Sequence, residues 1–306
     1  MEFKKSLLAL AVTSAVFGLA GCSDDDDNGG GGSDEPTAYE GNAASEAVPD
    51  GETRYFGGTD NADNSGYIRH LIIGESGFSF NPDQEVQGLT LEGVGSGSDK
   101  SGEPFIDYLQ VLGSEDDGIE WFGGAAGGKH IVINGQDDDG LDQDLGWQGN
   151  VQFALIRMGS DNGDRAMETD GNGDNFDAEP FTAPTIANLT VLGNQGKTDK
   201  DTMGHLAREG YRGNIHRSVY IDDAAAGGAF DSGCIGVDEM TDSTYLTDSA
   251  LTYEDVVCQA TNGELAGKNS TYEDEFKNSG SYDVHVTGGG ATIDNTTLAI
   301  NNTGAT

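Results

Sequence analysis

The chain reads as an all-β solenoid, a coil of short strands stacked rung upon rung, and three observations predict it. Two stretches 80 residues apart share one pattern, Ile106-Asp-Tyr-Leu-Gln-Val-Leu-Gly113 and Ile186-Ala-Asn-Leu-Thr-Val-Leu-Gly193. A core pair, two apolar residues flanking one other, recurs as Leu71/Ile73, Leu89/Leu91, Leu109/Val111, Ile131/Ile133, Ala154/Ile156, Leu189/Val191 and Val219/Ile221. The first five pairs are spaced 18, 20, 22 and 23 residues, a drifting period with one short strand per copy. Finally, 48 glycines in 306 residues suit a chain that turns every few residues. The copies come too closely for βα units and are shorter than the four strands of a propeller blade. A parallel β-helix remains, with a β-sandwich as the alternative built of similar short strands.

The N-terminus reads as an address. Met1-Glu-Phe-Lys-Lys5 is a basic start, and Ser6 to Ala20 is an apolar run too short for a comfortable membrane span. It leads into Leu19-Ala-Gly-Cys22, which resembles the bacterial lipobox. That resemblance implies a lipoprotein signal peptide over residues 1–21, cleaved before Cys22, with acyl chains such as palmitate on the thiol and the new amino group. Several chains anchor far more firmly than one. An ordinary secretory peptide with an incidental cysteine is the alternative. Ser23 after the cysteine implies, by similarity to enterobacterial lipoproteins, release to the outer membrane. The choice between periplasmic and cell-surface orientation stays open.

Residues 22–50 form an acidic, Gly-rich tether with almost nothing to bury, and residues 51–306 are expected to form the β-helix domain. An acidic tract after a lipidated cysteine also resembles a surface-export signal. Formal net charge is −39, and removing Lys4, Lys5 and Glu2 with the signal leaves about −40. Such a field repels nucleic acid unless cations intervene, which excludes a nucleic-acid role. It favours cation binding or plain solubility in a salty medium. Cys22 is assigned to lipid, so Cys234 and Cys258 form the expected disulfide of an oxidising compartment. Closing that loop would stabilise the fold by roughly 3 kcal/mol.

The best-aligned rungs are Leu109 to Glu120 and Ile131 to Asp142, offset by 22 at every position. Each gives a strand, an acidic turn and a second short strand carrying an inward Ile119 or Leu141, and Met167 continues that column. Past Gly193 the order loosens: Lys197 to Gly213 reads as an excursion, and 222–279 as a loop-rich insertion carrying the disulfide. Val284/Val286 and Leu298/Ile300 resemble rungs again. The end at Thr306 has no obvious polar cap, so the last residues are expected to fold over the coil, or the chain continues.

Residues Tyr67-Ile-Arg-His-Leu-Ile-Ile, Asp116-Asp-Gly-Ile-Glu-Trp-Phe-Gly-Gly124 and Asp138-Asp-Gly-Leu-Asp142 resemble a group of Gram-negative surface or secreted lipoproteins. The resemblance implies a single-stranded right-handed parallel β-helix and an outer-membrane location, with no assigned activity to carry over. More distantly the coil resembles pectate-lyase-like proteins, although no complete catalytic motif of theirs stands out.

Three features carry candidate chemistry. Asp170, Asn172, Asp174 and Asp177 place oxygens at positions one, three, five and eight of a loop resembling the start of an EF-hand. Asn175 stands where glycine is expected and Phe181 where the closing glutamate belongs, so a hydrated turn is the alternative. The acidic turns give a second set, Asp116, Asp117 and Glu120 aligned with Asp138, Asp139 and Asp142, with Asp161, Asp164 and Glu168 as a continuation. Converging carboxylates bind Ca²⁺ or act as general acid and base on glycosides; solvated corners are the alternative. Arg165, Arg208 or Arg212 could serve a lyase as proton acceptor or clamp, against the simpler reading as carboxylate partners. Thirdly, Trp121 and Trp147, 26 residues apart, could stack on sugar rings or meet a partner, or else cover the interior at a corner.

His70 and His130 share the column of Tyr108 and are expected to face outward. The histidines show no zinc spacing, and no nucleophile elbow, phosphate loop or dinucleotide fingerprint is found. The leading expectation is a surface-anchored, non-enzymatic β-helix lipoprotein. It would be calcium-stabilised and bind an outer-membrane transporter, another partner or a glycan. The alternative is a calcium-dependent polysaccharide lyase or glycoside hydrolase using the acidic turns; the lack of a closed catalytic set weighs against an enzyme.

Overall fold

The computed structural model describes residues 43–44, 55–64, 66–81, 84–97, 104–159, 163–193, 202–222, 230, 233–238, 250–259, 276 and 282–286. The signal peptide, Cys22, most of the tether and residues 287–306 lie outside them. A short antiparallel pair, β1 (Ala43–Ala44) and β2 (Tyr55–Phe56), precedes the coil. The coil begins with β3 (Ile68–Ser76), a hairpin of β4 (Phe78–Asn81) and β5 (Gln84–Val86), and β6 (Leu89–Glu92). The regular rungs follow as β7 (Ile106–Ser114), β8 (Ile119–Phe122), β9 (Gly128–Gln136), β10 (Leu141–Asp144), β11 (Asn150–Arg157) and β12 (Arg165–Asp170). Then come β13 (Thr185–Leu192), β14 (Met203–Arg208), β15 (Asn214–His216), β16 (Val219–Ile221), β17 (Ile235–Val237), β18 (Thr252–Gln259) and β19 (Tyr282–Val286).

Consecutive strands alternate between two parallel sheets. Among the described residues, one sheet has six strands in the order β17-β14-β12-β10-β8-β6, and the other nine, running from β3 through β7, β9, β11 and β13 to β18 and β19. One circuit of chain thus adds one strand to each sheet, which makes the fold a parallel β-helix and excludes the sandwich. The long strands also bend. His70, Tyr108, His130, Phe153, Asn188, Arg217 and Asp255 hold φ between 46° and 61°. The pairing registers put all seven in one column. The left-handed residue folds each long strand into two straight pieces, so the coil has three parallel faces.

Period-two alternation on each piece sends one column inward. Ile73, Val111, Ile133, Ile156, Val191, Tyr220 and Cys258 form one such column; Leu89, Ile119, Leu141, Met167, His205 and Ile235 form another. Nearly all are fully buried, each apolar member contributing about 1.5–3 kcal/mol of burial. The predicted offset of 22 holds at Leu109↔Ile131, Ile119↔Leu141 and Glu120↔Asp142. At the entrance to the short strands only glycine fits: a Cβ on Gly118 would lie 2.6 Å from both Gly140 O and Ile133 Cγ2.

Three expectations need correction. Leu89/Leu91 belongs to the six-stranded sheet, in register with Ile119/Trp121, not to the column of Leu109/Val111. Val219/Ile221 is off by one, because Arg217 occupies the bend and Tyr220 pairs with Val191. The supposed excursion after Lys197 contains β14, and the supposed insertion contains β17 and β18, so the coil runs through both. The disulfide is formed, Cys234–Cys258, and it links residues of neighbouring rungs instead of a loop-rich excursion.

Candidate metal centre

The outer face of the six-stranded sheet presents the acidic ladder. Ile119, Leu141 and Met167 point inward, so the next residue of each strand points out, and Glu120, Asp142 and Glu168 stand in register. Asp116–Asp117 and Asp138–Asp139 lie in the turns that feed these strands. Three groups bring ligand oxygens within 4.8 Å of one another: Asp116, Asp117 and Asp138; Asp117, Glu120 and Asp142; Asp139, Asp142 and Glu168. They overlap through shared Asp117 and Asp142. The ladder is not a solvated corner: Asp117, Glu120 and Asp139 are only 6%, 5% and 2% exposed. Beside Glu120 on the same strand, Phe122 is covered by Phe56 of β2, with ring centroids 6.1 Å apart.

Two main-chain bonds hold the turns in register. Asp117 Oδ1 accepts the Asp139 N–H at 2.7 Å, and Asp139 Oδ1 accepts the Arg165 N–H at 2.6 Å. At the far end two guanidinium groups close the ladder. Glu168 Oε1 lies 3.0 Å from Arg165 Nη1 and its Oε2 3.1 Å from Arg208 Nη2. Arg165 also meets Asp164 at 2.7 Å, and Arg208 grips Asp170 through two bonds of 2.7 and 2.8 Å.

These two arginines do not neutralise the set. Burial, then the charges of Asp116 and Asp138, push the Asp117 carboxyl well above its ordinary range. Burial and Glu168 do the same to Asp139, and burial and Asp117 to Asp142. Glu168 is raised to about 7 by burial and by Asp170, although Arg165 and Arg208 pull the other way. Carboxylates this close in a poorly solvated site must share protons or a cation. The donors are all oxygen, which suits a hard divalent ion and not a thiolate- or imidazole-seeking one.

The other candidates fare differently. Asp170, Asp174 and Asp177 join no such acidic cluster among the described residues. Asp170 is taken by Arg208, Asp177 lies 4.0 Å from Arg212, and the Asn172 carboxamide oxygen accepts the N–H groups of Asp174 and Asn175. In this structure the loop bonds to itself through Asn172 and to Arg208 through Asp170. Trp121 and Trp147 are fully buried and stacked on each other at 4.6 Å, with Trp147 Nε1 donating to Ala126 O, so neither can receive a sugar ring. The alternation itself carried that signal, since Ile119 and Trp121 form the same inward pair as Leu109 and Val111. Asp161 lies outside the described residues.

The outward column of His70 and His130 holds something the sequence reading did not foresee. His70, Tyr108, His130 and Phe153 stack ring on ring, with centroids 4.9, 4.5 and 5.4 Å apart. His205, by contrast, is inside the coil, between the Thr169 hydroxyl at 2.8 Å and the Tyr253 hydroxyl at 2.6 Å.

Residues 35–299 match the family described as pectate-lyase like beta helix domain, and the chain belongs to that family. No curated protein and no solved structure matches it.

Proposed function

We propose that the protein is a lipid-anchored, non-enzymatic β-helix module of the bacterial outer membrane, stiffened by calcium on the acidic ladder and presented at the cell surface to bind a partner protein or glycan. The carrying observation is the convergence of three overlapping carboxylate groups, most of whose members are buried, on one face of the coil. An ion held there is surrounded by protein oxygens, which suits a structural role better than one that must leave coordination positions open to substrate. The anchor rests on Leu19-Ala-Gly-Cys22 and the acidic tether after it. Calorimetric titration of calcium into EDTA-treated protein is expected to give saturable binding that Glu120→Gln with Asp142→Asn removes; linear heats without saturation would sink the cation. Metabolic labelling with palmitate, lost in Cys22→Ala, tests the anchor.

A second reading has one specific observation in its favour. Glu168, with its carboxyl raised to about 7, sits between Arg165 and Arg208, the residue types a lyase or hydrolase could use as acid, base and clamp. Turnover of any acidic or neutral polysaccharide in calcium, abolished by Glu168→Gln, would replace the binding module with the enzyme.

A further inference from the structure

The coil keeps its exposed apolar side chains towards one end. Six large hydrophobic side chains are exposed among the described residues, and four of them, Tyr67, Ile72, Phe78 and Phe80, fall within one short stretch, each 40–64% exposed. All four belong to the first circuit. β3 ends the nine-stranded sheet, Tyr67 leads into it, and the β4–β5 hairpin follows it directly. Phe78 and Phe80 stand two apart on β4, and their rings meet edge to face at 4.9 Å. Of the other two, Tyr108 lies on the next rung and stacks on His70 of β3. Apolar side chains scattered singly over a surface need no explanation, but a cluster of this kind marks a contact surface.

Where the chain enters the coil says what covers the cluster. β6 ends the six-stranded sheet, and a Cβ on Gly93, just past it, would lie 3.3 Å from Gly57 Cα, just past β2. The entering chain therefore meets the same first circuit. Its partner strand β1 begins at Ala43, only 21 positions after Cys22. A Gly-rich linker of that length has an end-to-end distance of roughly 25 Å, so an acyl anchor on Cys22 holds the first circuit near the bilayer. The strand of Glu254 lies six rungs further on, about 29 Å along the coil. We infer that the first circuit docks on the phospholipid surface itself. Phe78 and Phe80 enter the boundary between headgroups and acyl chains, with Tyr67 and Ile72 beside them. Aromatic rings favour that boundary, and apolar faces sit about 5–10 Å into it. A chain of formal charge −39 gains nothing from an anionic leaflet, so the surface it fits is zwitterionic. The inference rests on the lipid-anchor reading and adds a contact that the anchor alone does not require.

The test uses the full chain in phosphatidylcholine–phosphatidylethanolamine vesicles with brominated acyl chains, which quench tryptophan only within the bilayer. Trp121 and Trp147 are buried inside the coil and supply a constant background. Phe80→Trp is expected to lose at least half of its added emission to the brominated lipid. Glu254→Trp, at a side chain 71% exposed on the far rungs, should lose less than a tenth. Phe78→Asp in the Phe80→Trp chain restores most of the lost emission, and since both positions are exposed the core is left intact. Equal quenching at the two positions, none at Phe80→Trp, or indifference to Phe78→Asp would overturn the docking. Palmitate labelling separates this outcome from the anchor. A labelled chain without quenching keeps the anchor and overturns the docking. An unlabelled chain whose Phe80→Trp is still quenched by added vesicles, with Glu254→Trp unquenched, overturns the anchor and keeps the docking.

Discussion

Asp117 and Asp139 stand one rung apart, and the carboxylate of the first accepts the main-chain N–H of the second at 2.7 Å. Each buried charge is thus also a structural acceptor, and Asp139 repeats the arrangement on Arg165. The like-charge repulsion that the ladder carries is built into the bonds that set its register.

That dual role separates two substitutions at Asp139. An asparagine keeps the acceptor oxygen and removes the charge, so Asp139→Asn is expected to raise stability in EDTA. An alanine strands the buried Arg165 N–H and should cost about 1–3 kcal/mol. Denaturant unfolding of both variants in EDTA checks this; equal destabilisation would mean that the charge carries no penalty.

Glu168 gives a pH dependence with a definite sign. Its folded carboxyl is raised to about 7, above its ordinary value of 4.5, so the folded state binds a proton that the unfolded state does not. Its contribution therefore favours folding increasingly as pH falls from about 7 to 4.5, by up to about 3 kcal/mol. The stability advantage of Glu168→Gln over wild type in EDTA should be largest above about pH 7 and shrink as pH falls to 4.5. A flat difference would show that Arg165 and Arg208 compensate the charge fully.

His205 acts in the opposite sense. Burial lowers it from 6.5 to about 3, so the unfolded chain takes up the proton first. Stability should fall as pH drops below about 6.5 towards 3, with a limiting slope of about 1.4 kcal/mol per pH unit. His205→Gln, placed between the same Thr169 and Tyr253 hydroxyls, is expected to lose that slope in urea titrations at pH 6.5, 5.5 and 4.5.

The outer ring stack sits on strained backbone, and this makes residue choice at Tyr108 informative. Its φ of 58° is tolerated by asparagine but not by β-branched side chains. Tyr108→Asn should lose only the ring contacts, about 0.5–1.5 kcal/mol for each aromatic pair. Tyr108→Val should cost a further ~1–2 kcal/mol of backbone strain. Thermal melts that ranked the two equally would contradict the bend as the organising feature of the long strands.

Much of the coil was legible because inward columns demand apolar residues at fixed offsets. Ile119, Leu141 and Met167 were aligned correctly on that ground, and their outward neighbours Glu120, Asp142 and Glu168 followed. The signal faded where the interior turns polar. Met203–Arg208 carries His205 in the column of Met167, and Gln143 and Thr169 continue the column of Trp121, so no apolar alternation marked those strands. The slip at Val219 has the same root: the inward residue there is Tyr220, displaced by the bend at Arg217. At residues 170–177 the spacing could not reveal that Arg208 engages Asp170, a partner 38 residues away in sequence.

The central claim is that the buried ladder holds a divalent cation, and unfolding of the chain with calcium against EDTA at constant ionic strength tests it most directly. The account predicts saturable stabilisation of about 2.7 kcal/mol at calcium one hundred times its dissociation constant, lost in Glu120→Gln with Asp142→Asn. A midpoint that does not move with calcium would contradict it and leave the ladder as carboxylates that share protons alone.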